Sequence, residues 1–278
     1  MLYNGKEASF KIQTALKKRI ETLSKRPVLV IVSVPTHPSI VSFIAIKKRY
    51  ALAIGVDIQE YVFDESATTE IIQETLQKII TSNTCDGIII QLPLPKTCDT
   101  SLLVNSIPEH LDVDVLGERA WQSFYNTQTP IPPVAGAIAH ILQDTDIHNK
   151  KIVIIGKGKL VGEPTDIWFR HHGITPDIVE INTPVETRLS LYKHADIIIS
   201  GIGSPHHLKP EHCKQGVILI DAGTSEQSGT LSGDIDPSCE STASIYTPVP
   251  GGVGPLTVAC LFTNLLDTIE KNKPMLNF

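Results

Sequence analysis

Short, near-continuous apolar runs alternate along the chain with longer stretches in which apolar residues recur every three or four positions. PVLVIVSV at 27–34 is of the first kind and predicts a strand buried on both faces. Residues 6–24 predict a helix with a basic outer face, and 38–54 predict a second helix ended by Gly55. A second strand is expected over 56–63. Over 68–82, Ile71, Ile72, Leu76, Ile79 and Ile80 fall on one helical face. DGIIIQLPLP at 86–95 reads as a strand running into a proline-rich loop.

The alternation then restarts. Residues 129–143 predict a loop and a helix, and 150–164 predict a strand, a glycine turn and a helix start. Further strands are expected at 177–181, 196–201 and 217–221, and a last helix at 256–271. Apolar strands separated by helices imply parallel sheets covered on both faces. The fold class expected is α/β, with two doubly wound domains, the second of Rossmann type. Periodicity leaves the packing partner of the last helix open.

Composition narrows the function classes. The 278 residues are 41% hydrophobic, enough for one large core or two modest ones. A formal net charge of −6 gives no basic footprint for nucleic acid. The longest apolar runs are strand-sized, and the start MLYNGKEASFKIQ has no apolar signal core, so no membrane association is expected. Cys85, Cys98, Cys213, Cys239 and Cys260 are dispersed without a CxxC pair, which reads as reduced thiols in a cytoplasmic protein. The histidines show no HExxH pattern and read as surface or loop residues, so no metal is expected.

Two segments carry chemistry. TPVPGGVGPLT at 247–257 concentrates prolines, which fix φ, and glycines, which permit positive φ and close backbone approach. It reads as a rigid ligand-shaping loop ahead of the last helix. Gly156, Lys157, Gly158 and Gly162 form a G-x-G-x-x-x-G turn between a strand and a helix. There the first glycine allows a tight turn, the second lets a phosphate approach, and the third allows close helix–strand packing. Glu180 lies at the end of the next strand, where an acid accepts from a ribose 2′-hydroxyl, or where it is simply an exposed strand-end residue. Lys157 and Lys159 could instead offer charge to a 2′-phosphate.

These motifs resemble the bifunctional methylenetetrahydrofolate dehydrogenase/cyclohydrolase family, FolD-type. The resemblance covers essentially the whole chain and rests on QLPLP at 91–95, DVD at 112–114, the turn at 156–164 and TPVPGGVGPLT. It implies a folate/catalytic domain of residues 1–120 plus the C-terminal helix 254–278, and a dinucleotide-binding domain of residues 121–253. It also implies a folate cleft between them, a homodimer, and NADP as cofactor with NAD as the alternative. The family oxidises methylenetetrahydrofolate and hydrolyses the methenyl product. By position, Lys47 matches its catalytic lysine, Gln91 the glutamine bonded to that lysine, and Asp114 the aspartate holding the pterin amino edge. Phe43, Pro250, Gly251 and Gly252 fall at substrate positions, and Gly223 and Thr224 join the glycine turn at cofactor positions.

The chemistry suits those types. A methenyl carbon is cationic, so attack by water needs a group that exchanges protons near neutrality, which a buried lysine beside a cation can do. A glutamine orients the amine without adding charge, and an aspartate can accept two donors from a pterin. The chain also departs from the family pattern. Phe43 stands where the family has tyrosine, and Tyr50, one turn beyond Lys47, is a poor geometric replacement. Val115 replaces a glycine, Ala120 and Gln122 replace an asparagine and a glycine, Pro133-Val134-Ala135 replaces C-T-P, and Lys157-Gly158 displaces a serine. These changes leave, as the alternative, a non-catalytic or single-activity homologue that binds folate or nucleotide.

Overall fold

A computed structural model of the chain describes residues 1–227 and 230–271. It forms two compact units. The first comprises Phe10–Pro133 and the chain from Val258 onward, and the second comprises Met1–Ser9 and Val134–Thr257. The compact units divide between Pro133 and Val134, and Met1–Ser9 join the second unit. Backbone pairing explains the latter: Leu2 bridges Tyr246, and the Tyr3 N–H donates to the Tyr246 carbonyl at 2.8 Å. Residues 272–278 of the expected C-terminal segment lie outside the described residues.

In order along the chain come α1 (Gly5–Glu21), β1 (Val28–Ser33), α2 (Pro38–Ile54), β2 (Asp57–Val62), α3 (Thr69–Ser82), β3 (Gly87–Ile90), α4 (Thr100–Asn105) and α5 (Glu118–Thr127). The three strands are parallel in the order β2–β1–β3. Central β1 alternates between two cores, which accounts for its unbroken apolar run. Leu29 and Ile31 pack with Leu16 of α1 and Ile40 and Ile44 of α2, whereas Val30 and Val32 pack with Ile72 and Leu76 of α3 and Leu103 of α4. Helix α2 ends at Gly55, whose φ of 89° is open to glycine and costly for most other residues. Strand β3 ends at Ile90 and runs into the proline-rich loop, where Pro93 and Pro95 lack the N–H a ladder needs.

The remaining elements are α6 (Pro133–Leu142), β4 (Ile152–Ile155), α7 (Gly162–His171), β5 (Asp177–Val179), α8 (Val185–His194), β6 (Ile197–Ser200), β7 (Val217–Asp221), a hairpin of β8 (Ser225–Gln227) and β9 (Thr230–Ser232), β10 (Ala243–Tyr246) and α9 (Val253–Lys271). Five parallel strands lie in the order β10–β7–β6–β4–β5. From β4 the chain steps to one side for β5 and to the other for β6. That reversal opens a crevice at the carboxyl ends of β4 and β6, where ligands bind in doubly wound sheets.

Helix α9 starts at Val253, so residues 253–257 of TPVPGGVGPLT are helical rather than loop. Pro255 is tolerated there because N–H groups of a first turn have no helical partner. Its later residues Leu261, Phe262, Leu265 and Leu266 join the core of the first unit. Among the described residues no helix is long and apolar enough to cross a membrane.

Candidate active site

Lys47 lies on α2, whose buried stripe of Ile40, Ile44, Ala51 and Ile54 fixes the helix on its sheet. The Lys47 Nζ donates to Gln91 Oε1 at 2.7 Å. Gln91 immediately follows β3 and is 8% exposed. Its backbone N–H continues the ladder by donating to the Val32 carbonyl at 2.8 Å, and its Nε2 donates to the Leu92 carbonyl at 2.9 Å. With the amide nitrogen committed to a carbonyl, the amide oxygen must point at the lysine.

Asp114 reaches the same end of the sheet by a third route. Asp112 forms an isolated parallel bridge with Ile88 of β3, which sets the 112–114 segment alongside that strand. Burial pushes the Lys47 ammonium below the ordinary lysine range, while the charge of Asp114 acts in the opposite sense. Burial likewise raises the Asp114 carboxyl, and Lys47 opposes that rise. Each charge thus opposes, without cancelling, the pull of burial toward its partner's neutral form. Lys47, Gln91 and Asp114 are brought together from three separate segments.

Phe43 lies one helical turn before Lys47 and is 37% exposed, so its bare ring has solvent beside it. Tyr50, one turn after, is buried and stacks on Phe262, with ring centroids 5.2 Å apart and planes 13° apart. Its ring belongs to the core and does not replace the missing hydroxyl group at position 43.

In the second unit, Gly156 begins the turn after β4 with φ 88°. A Cβ on Gly162 would lie 1.9 Å from the Gly156 carbonyl oxygen, so the start of α7 packs directly on the turn. A Cβ on Gly158 would meet nothing within 4 Å. The space over Gly158 at the head of α7 suits a phosphate. Lys157, Lys159 and Glu180 are exposed. Glu180 follows β5 in a small turn, where its N–H donates to Thr183 Oγ1 at 3.0 Å and its carbonyl accepts from the Thr183 N–H at 3.0 Å. In the proline–glycine loop, Gly251 has φ 114°. Gly252 is held by its N–H donating to the Pro248 carbonyl at 2.7 Å, and a Cβ on Gly5 would lie 1.8 Å from its oxygen.

Residues 3–114 match the catalytic domain of the tetrahydrofolate dehydrogenase/cyclohydrolase family, and residues 132–273 match its NAD(P)-binding domain. The chain belongs to this family. The bifunctional protein FolD of Mycoplasmopsis synoviae is 33% identical, with 96% of this chain and 98% of the relative covered. The bifunctional FolD structure from Campylobacter jejuni superposes with a TM-score of 0.91 at 28% identity, covering 98% of this chain and 99% of that one. The Trypanosoma brucei FolD, solved with NADP and an inhibitor, gives a TM-score of 0.92 at 25% identity, covering 98% and 97%.

The sequence reading missed two residues of this family fold, Asp221 and Asp234. Asp221 ends β7 and accepts the N–H groups of Gly223 at 3.0 Å, Asp234 at 3.1 Å and Ile235 at 2.8 Å. Its own N–H donates to Thr247 Oγ1 at 2.7 Å, which ties it to the first residue of TPVPGGVGPLT. Burial pushes its carboxyl up to about 7. Asp234 accepts Ser200 Oγ at 2.8 Å and the N–H groups of Ile202 at 2.8 Å and Ser204 at 2.7 Å, bracing the loop after β6. A Cβ on Gly223 would lie 2.1 Å from the Asp234 carboxylate, so packing alone demands glycine at 223. Thr224 beside it is exposed. The signal available was the pairing of Asp-x-Gly at 221–223 with Gly-Asp at 233–234.

Proposed function

We propose that the chain oxidises 5,10-methylenetetrahydrofolate to methenyltetrahydrofolate in an NAD(P)-dependent step and hydrolyses that product to 10-formyltetrahydrofolate. The observation that carries this reading is the Lys47 amine held on Gln91 under the influence of Asp114, in a chain of this family. In the hydrolysis, water adds to the cationic methenyl carbon, a ring C–N bond opens, and one proton is released overall. Lys47, with its ammonium weakened by burial, is the group that takes and returns protons. Gln91 fixes the amine's direction, and Asp114 accepts the amino edge of the pterin. Phe43 and the Pro250, Gly251 and Gly252 backbone are the substrate-shaping residues.

The dinucleotide, when bound, supplies the hydride acceptor. Gly156, Lys157, Gly158 and Gly162 form its phosphate turn, with Gly223 and Thr224 beside the β7 end of the crevice. NADP is the cofactor we assign, supported by the NADP-bound Trypanosoma brucei relative and by the exposed Lys157 and Lys159. NAD is the alternative, and Glu180 is the residue that would favour it. In domain terms, the first unit is the folate and catalytic domain and the second the dinucleotide domain. A homodimer in the cytoplasm completes the proposal, the latter supported by five free thiols.

Asp114→Ala tests the assignment. Loss of a charged acceptor from buried donors should weaken folate binding by roughly 1.5–3 kcal/mol. Dinucleotide affinity should not change. Titrating both ligands against the variant decides, and equal weakening of both would make Asp114 a structural residue.

A further inference from the structure

Val115 has φ 58°, a left-handed backbone that a β-branched residue adopts only under constraint. The constraint is visible on both sides of Asp114. Asp112 is 3% exposed and folds its carboxylate over the following turn, with Oδ1 accepting the Leu116 N–H at 3.3 Å and Oδ2 accepting the Gly117 N–H at 2.7 Å. Gly117 is pressed against that carboxylate, since a Cβ there would lie 3.0 Å from Oδ2 and 2.9 Å from the Val104 carbonyl oxygen. From α9, Asn264 is 7% exposed and spends both amide hydrogens on carbonyls, Val113 at 3.0 Å and Ile131 at 2.8 Å. Val113 directly precedes Asp114. The segment is therefore clamped one residue before Asp114 and again across the turn that follows it.

We infer that Asp112 and Asn264 are positioning residues for the folate reaction, holding Asp114 where its carboxylate acts on Lys47. The inference rests on the reading of Lys47 and Asp114 as the reacting site. The Asn264 carbonyl partners account for no other part of that site, and a helix needing only apolar burial at this position would carry leucine, as at Leu261 and Leu265 on either side. Neither clamp contacts the Lys47 amine. Each acts through the direction of one carboxylate.

The test compares the pH profile of methenyltetrahydrofolate hydrolysis in the wild type, Asp114→Asn, Asn264→Leu and the double variant. Removing the Asp114 charge should move the Lys47 inflection toward acid, because the ammonium loses its stabilising neighbour. Asn264→Leu should move the inflection in the same direction and raise KM by roughly threefold or more, with NADP affinity unchanged. In the Asp114→Asn background it should cause no further movement. Asp112→Asn should raise KM from the other clamp, which keeps the claim testable where Asn264→Leu does not fold. Its pH profile is no such test, because burial pushes the Asp112 carboxyl itself up to about 6 and it interacts with the Asp114 charge. An Asn264→Leu enzyme that is less stable but keeps the wild-type inflection and KM overturns the positioning role, as does failure of both clamp variants to fold. A profile unmoved by Asp114→Asn itself would instead overturn the underlying site reading.

Discussion

Replacing Lys47 with methionine is expected to lower methenyltetrahydrofolate hydrolysis by ~10²–10⁴-fold, the range for removing a positioned proton-exchanging group. Methionine matches the length of the lysine stem and keeps the helix surface filled, so α2 should stay packed through Ile40, Ile44, Ala51 and Ile54. Folate should still bind, because Asp114 and not Lys47 is the group proposed to meet the pterin edge. The loss should therefore fall on kcat with little change in KM. Single-turnover hydrolysis with a parallel folate titration separates the two. Hydrolysis at the wild-type rate would remove Lys47 from the chemistry.

The glycine turn gives the second large effect, and its last two glycines should behave differently. Gly162→Ala sets a Cβ 1.9 Å from the Gly156 carbonyl oxygen and 2.8 Å from its carbon, and neither is a side chain that can turn away. The turn must open, at a cost of about 1–3 kcal/mol for such overpacking. If that cost is borne in the bound state, dinucleotide affinity falls roughly tenfold to a hundredfold. Gly158→Ala meets only open space, so thermal unfolding should be unchanged. Dinucleotide binding should nevertheless weaken, because the space over Gly158 is where the phosphate approaches. Fluorescence titration of NADP against both variants, with melting curves, checks the pair. Unchanged NADP affinity in both would take the phosphates away from this turn.

The two sheets were legible because their central strands are nearly pure apolar runs. PVLVIVSV and KKIVIIG read as buried strands, and the apolar repeat of Ile71, Ile72, Leu76, Ile79 and Ile80 marked α3, although Ile71 is exposed and the buried face is Ile72, Leu76 and Ile79. Elements with weaker faces were not legible. Helix α5 buries only Ala120 and Phe124, α8 buries only Tyr192, and β10 reads ASIY with a buried end at Tyr246 alone. Met1–Ser9 is placed with the second unit by backbone pairing with Tyr246, which side-chain patterns do not announce.

At the site, residue types were legible only through the family motifs. Lys47 and Gln91 stand 44 positions apart, and nothing in FIAIKKRY distinguishes Lys47 from Lys48, which pairs with Glu60 outside the site. Asp221 and Asp234 were marked only by the weak Asp-x-Gly and Gly-Asp signal, because their partners are chiefly backbone N–H groups, which every sequence supplies. Val115 was visible as a departure from glycine, but its left-handed backbone emerges only once Asp112 is seen closing the turn.

Both folate reactions should be carried by the one chain. Absorbance of the wild-type protein with methylenetetrahydrofolate, first with NADP⁺ and then with NAD⁺, follows both in one experiment. Reduced dinucleotide should form with NADP⁺ preferred, a transient methenyltetrahydrofolate signal should appear, and that signal should decay to 10-formyltetrahydrofolate faster than in the absence of protein. No dinucleotide reduction with either cofactor, together with hydrolysis at the protein-free rate, would contradict this assignment.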